Sequence, residues 1–289
     1  MPGSTVEPDA VTPTTPDELR AIPKPPARWL AVLTVVAAVV VLLLWSVGTP
    51  AGVMGKINAV GYAICHQIAA HSFLIDGVPM PLCARCTGIY LGVMTGLAIL
   101  IVSGRRRVRR MPPINIMIVL GLFVALMGID GVNSYATLIP GLPHLYEPNN
   151  TLRLFSGLLC GLALITIVFP VFNDVAWQQP DNGRSVETLR ELGGMVLIVA
   201  FVGLLLLSDR PTFMLILGVI STIGVIVMLS LIGTVLYISL FRLQNSLLAW
   251  RGLLLPALGG LTVAFMLIGG IDAVRLLLTH TWAGFAIGG

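Results

Sequence analysis

Long apolar stretches without a charged residue alternate with short charged segments along the chain. Seven such windows occur, each 17 to 31 residues long. A helix needs about 20 residues to cross a bilayer, and a charge near the bilayer centre costs roughly 2.5 to 3.5 kcal/mol, so membrane spans run between charges. The windows lie between Arg28 and Lys56, Arg85 and Arg105, Arg110 and Asp130, Arg153 and Asp174, Glu191 and Asp209, Arg210 and Arg242, and Arg251 and Asp272. The pattern predicts an all-α integral membrane protein, a polytopic bundle of about seven transmembrane helices.

The composition agrees with this class of protein. Of 289 residues, 56% are hydrophobic and only 10% are charged, whereas about 25% charged residues is usual in soluble domains. A formal net charge of +4 and four cysteines argue against a nucleic-acid-binding protein and a disulfide-stapled secreted domain. We therefore expect the lipid bilayer as a partner and no nucleic acid.

The basic residues predict how the bundle is oriented. Of the 17 Lys and Arg residues, 12 fall on one side of the predicted spans and five on the other. The five are Lys56, Arg85, Arg153, Arg210 and Arg275. Because cytoplasmic loops carry the excess of basic residues, we predict a cytoplasmic N-terminus and an outside C-terminus. The expected location is the bacterial cytoplasmic membrane.

The sequence divides into four predicted segments. Residues 1–27 hold seven prolines and no apolar periodicity, which predicts a disordered cytoplasmic tail. Residues 28–56 form the first span, 57–165 a membrane domain with a Cys/His motif, and 166–289 a C-terminal transmembrane region. The sixth window predicts one long helix, and the segment from Val53 to Ile64 is expected to be interfacial or re-entrant.

Metal-ligating residue types are concentrated on the predicted outer side. All four histidines and three of the four cysteines fall there: His66, His71, His144, His280, Cys65, Cys83 and Cys86. A CxxC pair clamps a soft metal or forms a short disulfide, and an upstream Cys-His pair supplies the remaining ligands of a tetrahedral Cys₃His zinc site. We therefore predict zinc with four ligands, namely Cys65, His66, Cys83 and Cys86.

Alternatives for these side chains stay open. Adjacent Cys and His residues rarely ligate one ion together, so His71 or His144 is an alternative nitrogen ligand. The cysteines also fit structural disulfides in an oxidising space. A third hypothesis is a redox-active Cys83–Cys86 pair, because a helix N-terminus and Arg85 would lower a thiol pKa.

Further polar residues lie at the outer ends of the third and fourth spans. Asp130 and Arg153 are expected to pair across these spans. A sharper hypothesis makes Asp130 a metal ligand or general base and Arg153 an anion clamp. Asn133 and Asn150 lie three residues from Asp130 and Arg153, so each shares a helix face with its neighbour. An asparagine is expected to cap the fourth helix.

Small residues predict how two of the spans pack. Gly88, Gly92 and Gly96 form a tandem GxxxGxxxG in the second span, and Gly157 and Gly161 repeat the spacing in the fourth. Such residues let membrane helices approach closely. The second and fourth spans are therefore expected to be neighbours.

Several longer motifs occur along the middle of the chain, namely Cys65-His66-Gln67, Ser72-Phe73, the run from Pro81 to Gly92, Ile129-Asp130-Gly131, and Asn150 to Leu154 with Gly157. In these motifs the sequence resembles the bacterial membrane-protein family known as domain of unknown function 2085. The resemblance covers about residues 57 to 165 and implies no activity. It implies that the family signature includes Cys65, His66, Cys83, Arg85, Cys86, Asp130, Asn150 and Arg153. Ala69-Ala70-His71 departs from the expected polar stretch, which weakens any role for that loop.

Together these features predict an outward-facing Cys/His site that binds a transition metal such as zinc. The site would serve as a structural centre or for metal-assisted chemistry on a lipid or a small extracytoplasmic substrate, and whether it is an enzyme stays open. One alternative is a thiol-disulfide oxidoreductase that uses Cys83 and Cys86 with a membrane quinone. Another is a small-solute transporter, which is disfavoured because no charge lies at mid-bilayer depth. The remaining predicted site residues are Arg85, Asn133, Asn150, His71 and His144.

Overall fold

The computed structural model describes residues 28–137, 139, 141 and 143–283. These residues contain eight α-helices, of which seven are long and apolar enough to cross a membrane. In chain order they are α1 (Arg28–Gly48), α2 (Gly52–Ile64), α3 (Ala84–Val102), α4 (Ile114–Ala136), α5 (Asn150–Ala176), α6 (Leu189–Leu207), α7 (Pro211–Leu240) and α8 (Leu254–Thr279). The predicted seven-span bundle is confirmed, while its orientation in the cell stays a prediction. The tail predicted at 1–27 lies outside the described residues.

The lengths of two helices agree with the predictions made from their sequences. The sixth window forms a single helix, α7, of 30 residues, as expected, and Pro211 occupies its first turn, where a missing backbone N–H costs nothing. The segment expected to be interfacial or re-entrant forms α2, whose 13 residues are too few to cross a hydrocarbon core. It leads directly into the Cys/His motif.

Helices α3 and α5 pack with their backbones in close contact. A Cβ added at Gly92 would lie 3.0 Å from both the Leu158 carbonyl carbon and the Leu162 nitrogen. A Cβ added at Gly157 would lie 3.0 Å from the Ile89 nitrogen. Real Cβ atoms are hardly ever closer than this, so only glycine fits at the seam. The expected pairing of the second and fourth spans is confirmed.

Helix α5 occupies the centre of the bundle, and α1 lies at its edge. Helix α5 contacts α3, α4, α6 and α7, and most of its residues are buried. Cys160 is buried in α5, as expected of a small apolar side chain. Helix α1 packs mainly on α8 and hydrogen bonds to α7 through Thr34 and Tyr237, whose hydroxyl oxygens are 2.7 Å apart. Its remaining side chains are mostly exposed, as suits a lipid-facing helix.

The two ends of the bundle differ in chemistry. We call one the cysteine end, with the loop 65–83 and the last turn of α8, and the other the arginine end, with the loops 103–113, 177–188 and 241–253. At the cysteine end, β1 (Leu74–Ile75) pairs antiparallel with β2 (Val78–Pro79). At the arginine end, β3 (Val108–Arg110) pairs parallel with β4 (Asp181–Arg184).

Candidate metal centre

The loop between α2 and α3 brings the two parts of the Cys/His motif together. Helix α2 ends at Ile64, and Gln67 adopts a left-handed backbone with φ 51°, which turns the chain sharply after His66. The Gln67 side-chain amide then donates to the Pro81 carbonyl at 2.8 Å and to the Asn58 carbonyl at 3.3 Å. This amide therefore fastens the start of the loop to its end, just before the CxxC segment.

Three predicted ligands converge at this point. The ligand atoms of Cys65, His66 and Cys83 all lie within 4.8 Å of one another, an arrangement that could hold a metal ion. Cys86 is not part of this close group, although its side chain influences the pKa values of both Cys65 and Cys83. All four cysteines of the chain are free thiols in the structure, so none forms the disulfide considered as an alternative. The adjacent Cys65 and His66 thus belong to one cluster, contrary to the usual rule for neighbouring ligands.

The thiols at the centre are unequal in acidity. The hydrogen bond between Cys65 and Cys83 lowers the pKa of the Cys83 thiol and raises the pKa of Cys65 to about 12. Cys83 is therefore the first sulfur to lose its proton. The Cys65 sulfur in turn accepts hydrogen bonds from the backbone amides of Cys83, at 3.3 Å, and Gln67, at 3.4 Å. Amide donors of this kind stabilise a thiolate.

The two histidines beside the thiols are neutral at ordinary pH. Burial and the nearby arginines lower the pKa of His66, and burial followed by the charge of Arg153 lowers the pKa of His71 to about 4. Their ring centroids lie 5.4 Å apart, edge to face. The Ile68 amide donates to His66 Nδ1 at 3.1 Å, so the proton of the neutral ring is on Nε2. Either nitrogen can ligate a metal only after this amide hydrogen bond breaks, because Nε2 frees its lone pair by the transfer of its proton to Nδ1.

The spacing of the ligand atoms of Cys65, His66 and Cys83 is close to that of a tetrahedral metal site, and Cys86 lies outside this group of three. With zinc–sulfur bonds near 2.3 Å, sulfur atoms at the corners of a tetrahedron lie about 3.8 Å apart. Ligand atoms within 4.8 Å must therefore move together by about 1 Å at most. Cys65 and Cys83 are only 4% and 2% exposed, so the centre is shielded from solvent. Three sulfurs and one imidazole are a donor set that zinc prefers.

Asp130 pairs with Arg85 instead of Arg153, which corrects the expected ion pair. The Arg85 guanidinium forms an ion pair with Asp130 Oδ2 and donates to Ser134 Oγ at 3.0 Å. Tyr146 donates its hydroxyl to Asp130 Oδ1 at 2.8 Å. The physical reason is the close α3–α5 packing, since Arg85 begins the glycine face of α3 and lies beside the end of α4. The ion pair joins the second and third spans.

Arg153 is held by neutral oxygen atoms. Its Nη1 donates to Asn150 Oδ1 at 2.8 Å, one helical turn away, and its Nε donates to Ser134 Oγ at 3.3 Å. The expected shared helix face of Asn150 and Arg153 is confirmed. Asn149 caps the same helix by accepting the Leu152 amide at 2.8 Å, which confirms the predicted asparagine cap. Arg85 and Arg153 therefore share the single hydroxyl group of Ser134.

Two predicted site residues support the neighbouring loop and lie outside the metal cluster. Asn133 donates to the Tyr146 carbonyl at 2.8 Å and accepts the Leu145 amide at 2.6 Å, which fixes the chain after α4. The exposed His144 lies 2.9 Å from Glu147 Oε1. The histidine that lies in the cluster with Cys65 and Cys83 is therefore His66, and His144 is not part of that cluster.

Arg275 on α8 is a contributor that the sequence analysis missed. Its guanidinium donates to the backbone carbonyls of Tyr62 and Cys65, at 2.5 and 2.6 Å, and to that of His66 at 3.3 Å. It also lies over the Tyr62 ring, 3.9 Å from the centroid. These contacts left no sign in the sequence, because their acceptors are backbone carbonyls. Arg275 thus holds the main chain that carries two of the clustered ligands.

These features define a multi-pass helical membrane protein with a buried Cys/His cluster at one end of the bundle. The profile of the family described as "Predicted membrane protein (DUF2085)" matches residues 65–167. The chain is also 32% identical to an uncharacterized protein of Methanocaldococcus jannaschii over 123 residues, which are 42% of this chain and 71% of the relative. The chain belongs to the DUF2085 family.

A second relative extends the comparison. An uncharacterized protein of Methanothermobacter thermautotrophicus is 30% identical over 104 residues, which are 36% of this chain and 83% of the relative. Both relatives are archaeal, so the family is not confined to bacteria. No solved structure matches the chain. The matched residues 65–167 contain the cysteine cluster, Arg85, Asp130 and Arg153, but neither α7 nor α8.

Proposed function

We propose that this protein binds a transition metal, zinc foremost, at the cysteine end of its membrane bundle. The observation that carries the proposal is the convergence of Cys65, His66 and Cys83, whose ligand atoms lie within 4.8 Å of one another. Cys86 supplies the third sulfur and completes a Cys₃His set. Bound zinc would serve as a structural centre or supply Lewis-acid chemistry.

The surroundings of the cluster support a thiolate centre. Backbone amides point at the Cys65 sulfur, and Arg85 and Arg153 add positive charge within electrostatic range of the neighbouring histidines. Both features lower the free-energy cost of holding several thiolates together. Burial of Cys83 disfavours the redox alternative that uses Cys83 and Cys86, because thiol–disulfide exchange requires an accessible sulfur.

Asp130 and Arg153 are proposed to act beside this centre. Asp130 is engaged by Arg85 and Tyr146, so we assign it to positioning Arg85, which lies within the CxxC segment. Because its carboxylate accepts from two donors in the resting site, we place the general-base hypothesis second.

The test is a metal analysis of the purified full-length protein, with free thiols counted in the same sample. We expect about one zinc per chain and few reactive thiols until a chelator is added, since coordinating thiolates are shielded by the ion. Cys83→Ser should lower metal content and thermal stability together. Cys160→Ser is the matched control, because Cys160 is buried in α5 away from the cluster, and it should keep the metal.

The redox alternative makes the opposite prediction for the same sample. A thiol-disulfide oxidoreductase would be isolated without stoichiometric metal, and a mild dithiol reductant instead of a chelator would release two thiols. Metal-free protein whose thiols react fully before any treatment would refute the metal centre.

A further inference from the structure

The polar cluster beside the thiols contains two guanidinium groups and one carboxylate. Both oxygens of Asp130 are engaged, Oδ2 by Arg85 and Oδ1 by Tyr146. Arg153 donates to the neutral oxygens of Asn150 and Ser134. The positive charge of Arg153 is therefore not matched by the carboxylate beside it.

Arg153 lies where an unmatched charge is costly. The residue is only 5% exposed, and a buried charge without a counter-ion is strongly destabilising. It also lies in the first turn of α5, where the unpaired backbone N–H groups of the helix add positive potential. The local potential favours an anion.

We propose that Arg153, together with Arg85, binds an anionic oxygen group, a phosphate or carboxylate, of a substrate at the cysteine end. A guanidinium presents its N–H groups as a planar fork that suits both anions. Asn150 connects the start of α5 to the loop that borders the site, which we call the rim (residues 66–72). Its amide donates to the carbonyls of Ala70 and Ser72 at 3.3 and 3.4 Å. This inference depends on the proposed function only in placing the anion beside a metal centre.

Partly exposed residues border Arg153 on the side of the loop after α2. Ala69 and Ala70 are exposed, and His66, His71 and Asn150 are half-buried. The two guanidinium groups would bind a phosphate from either of two sources, a phosphate dissolved in water or the headgroup phosphate of a lipid. The experiment must therefore present both.

The test measures thermal unfolding of the full-length protein in nanodiscs. One arm titrates inorganic phosphate against chloride at constant ionic strength, in phosphatidylcholine nanodiscs. The other arm replaces phosphatidylcholine with phosphatidylglycerol. We expect saturable stabilisation of the wild-type protein in at least one arm, and the responding arm identifies the source. For Arg153→Gln the apparent affinity should fall about tenfold or more, as expected for loss of a charge-assisted hydrogen bond.

The matched control is Arg109→Gln, which removes an exposed arginine at the arginine end and should leave the response unchanged. Arg153→Lys keeps the charge without the fork and should bind with intermediate affinity. It replaces the glutamine variant if that protein does not fold. An equal response from wild type and from the Arg153 variants, or no response of the wild type in either arm, would overturn the proposal.

Metal content measured on the same samples separates the two proposals. Anion-dependent stabilisation of a metal-free wild-type protein would leave the anion site standing and refute the metal centre. If the wild type holds zinc, ignores both anions, and loses zinc in Arg153→Gln, then Arg153 balances the metal thiolates. That result would overturn the anion site and leave the metal centre.

Discussion

Replacing Gly92 with alanine tests the backbone seam between α3 and α5. The added Cβ would lie 3.0 Å from the Leu158 carbonyl carbon and from the Leu162 nitrogen, and closer still to the Leu158 oxygen. Because comfortable contacts between carbon atoms are about 3.5 to 4.0 Å, the two helices must separate by about 1 Å or distort. Overpacking of this kind costs roughly 1 to 3 kcal/mol. The free energy of unfolding in detergent should fall by that amount.

The matched control is Gly121→Ala in α4, where an added Cβ meets no atom within 4 Å. Both changes bring the same helix-propensity gain of up to about 1 kcal/mol, so their difference isolates the packing cost. Thermal or detergent-induced unfolding, followed by circular dichroism, measures both variants. If Gly92→Ala is as stable as Gly121→Ala, the close contact of α3 and α5 is wrong.

Two further predictions concern charge. Arg85→Gln leaves the buried carboxylate of Asp130 without its cation and should cost about 3 to 5 kcal/mol of stability. The double variant Arg85→Gln/Asp130→Asn should recover much of this loss in thermal unfolding, and a double variant no more stable than the single one would contradict the ion pair. In a background lacking native cysteines, His144→Cys should react with a membrane-impermeant thiol reagent in intact cells, whereas Arg106→Cys should not. The opposite labelling pattern would invert the predicted orientation.

The helices could be predicted because the bilayer restricts the sequence so strongly. Charged residues lie at both ends of each predicted span, and the long sixth window corresponds to the single helix α7. The α3–α5 neighbours followed from the spacing of Gly88, Gly92, Gly157 and Gly161, since small residues leave a visible periodic pattern. Strands β1 to β4 carried no such signal, because each is only two to four residues long and depends on loops that meet after the helices pack.

The site was predicted in its residue types but only partly in its contacts. Cys65, His66 and Cys83 stood out because cysteine and histidine are rare in this chain. The partner of Asp130 could not be deduced, because both Arg85 and Arg153 lie at the same end of the bundle and only the helix packing chooses between them. Arg275 contacts backbone carbonyls, which are present at every residue and so leave no trace in the sequence.

The double anchoring of the cysteine cluster has a mechanical consequence. Cys83 and Cys86 lie at the start of α3, which packs closely on α5 through glycine residues. The backbone carbonyls of Cys65 and His66 accept hydrogen bonds from Arg275 on α8. The cysteine cluster is therefore held by two different contacts of the bundle, the α3–α5 seam and the hydrogen bonds from α8. A change in membrane thickness that tilts α8 would alter the spacing between Cys65 and Cys83, and with it the affinity for whatever the cluster holds.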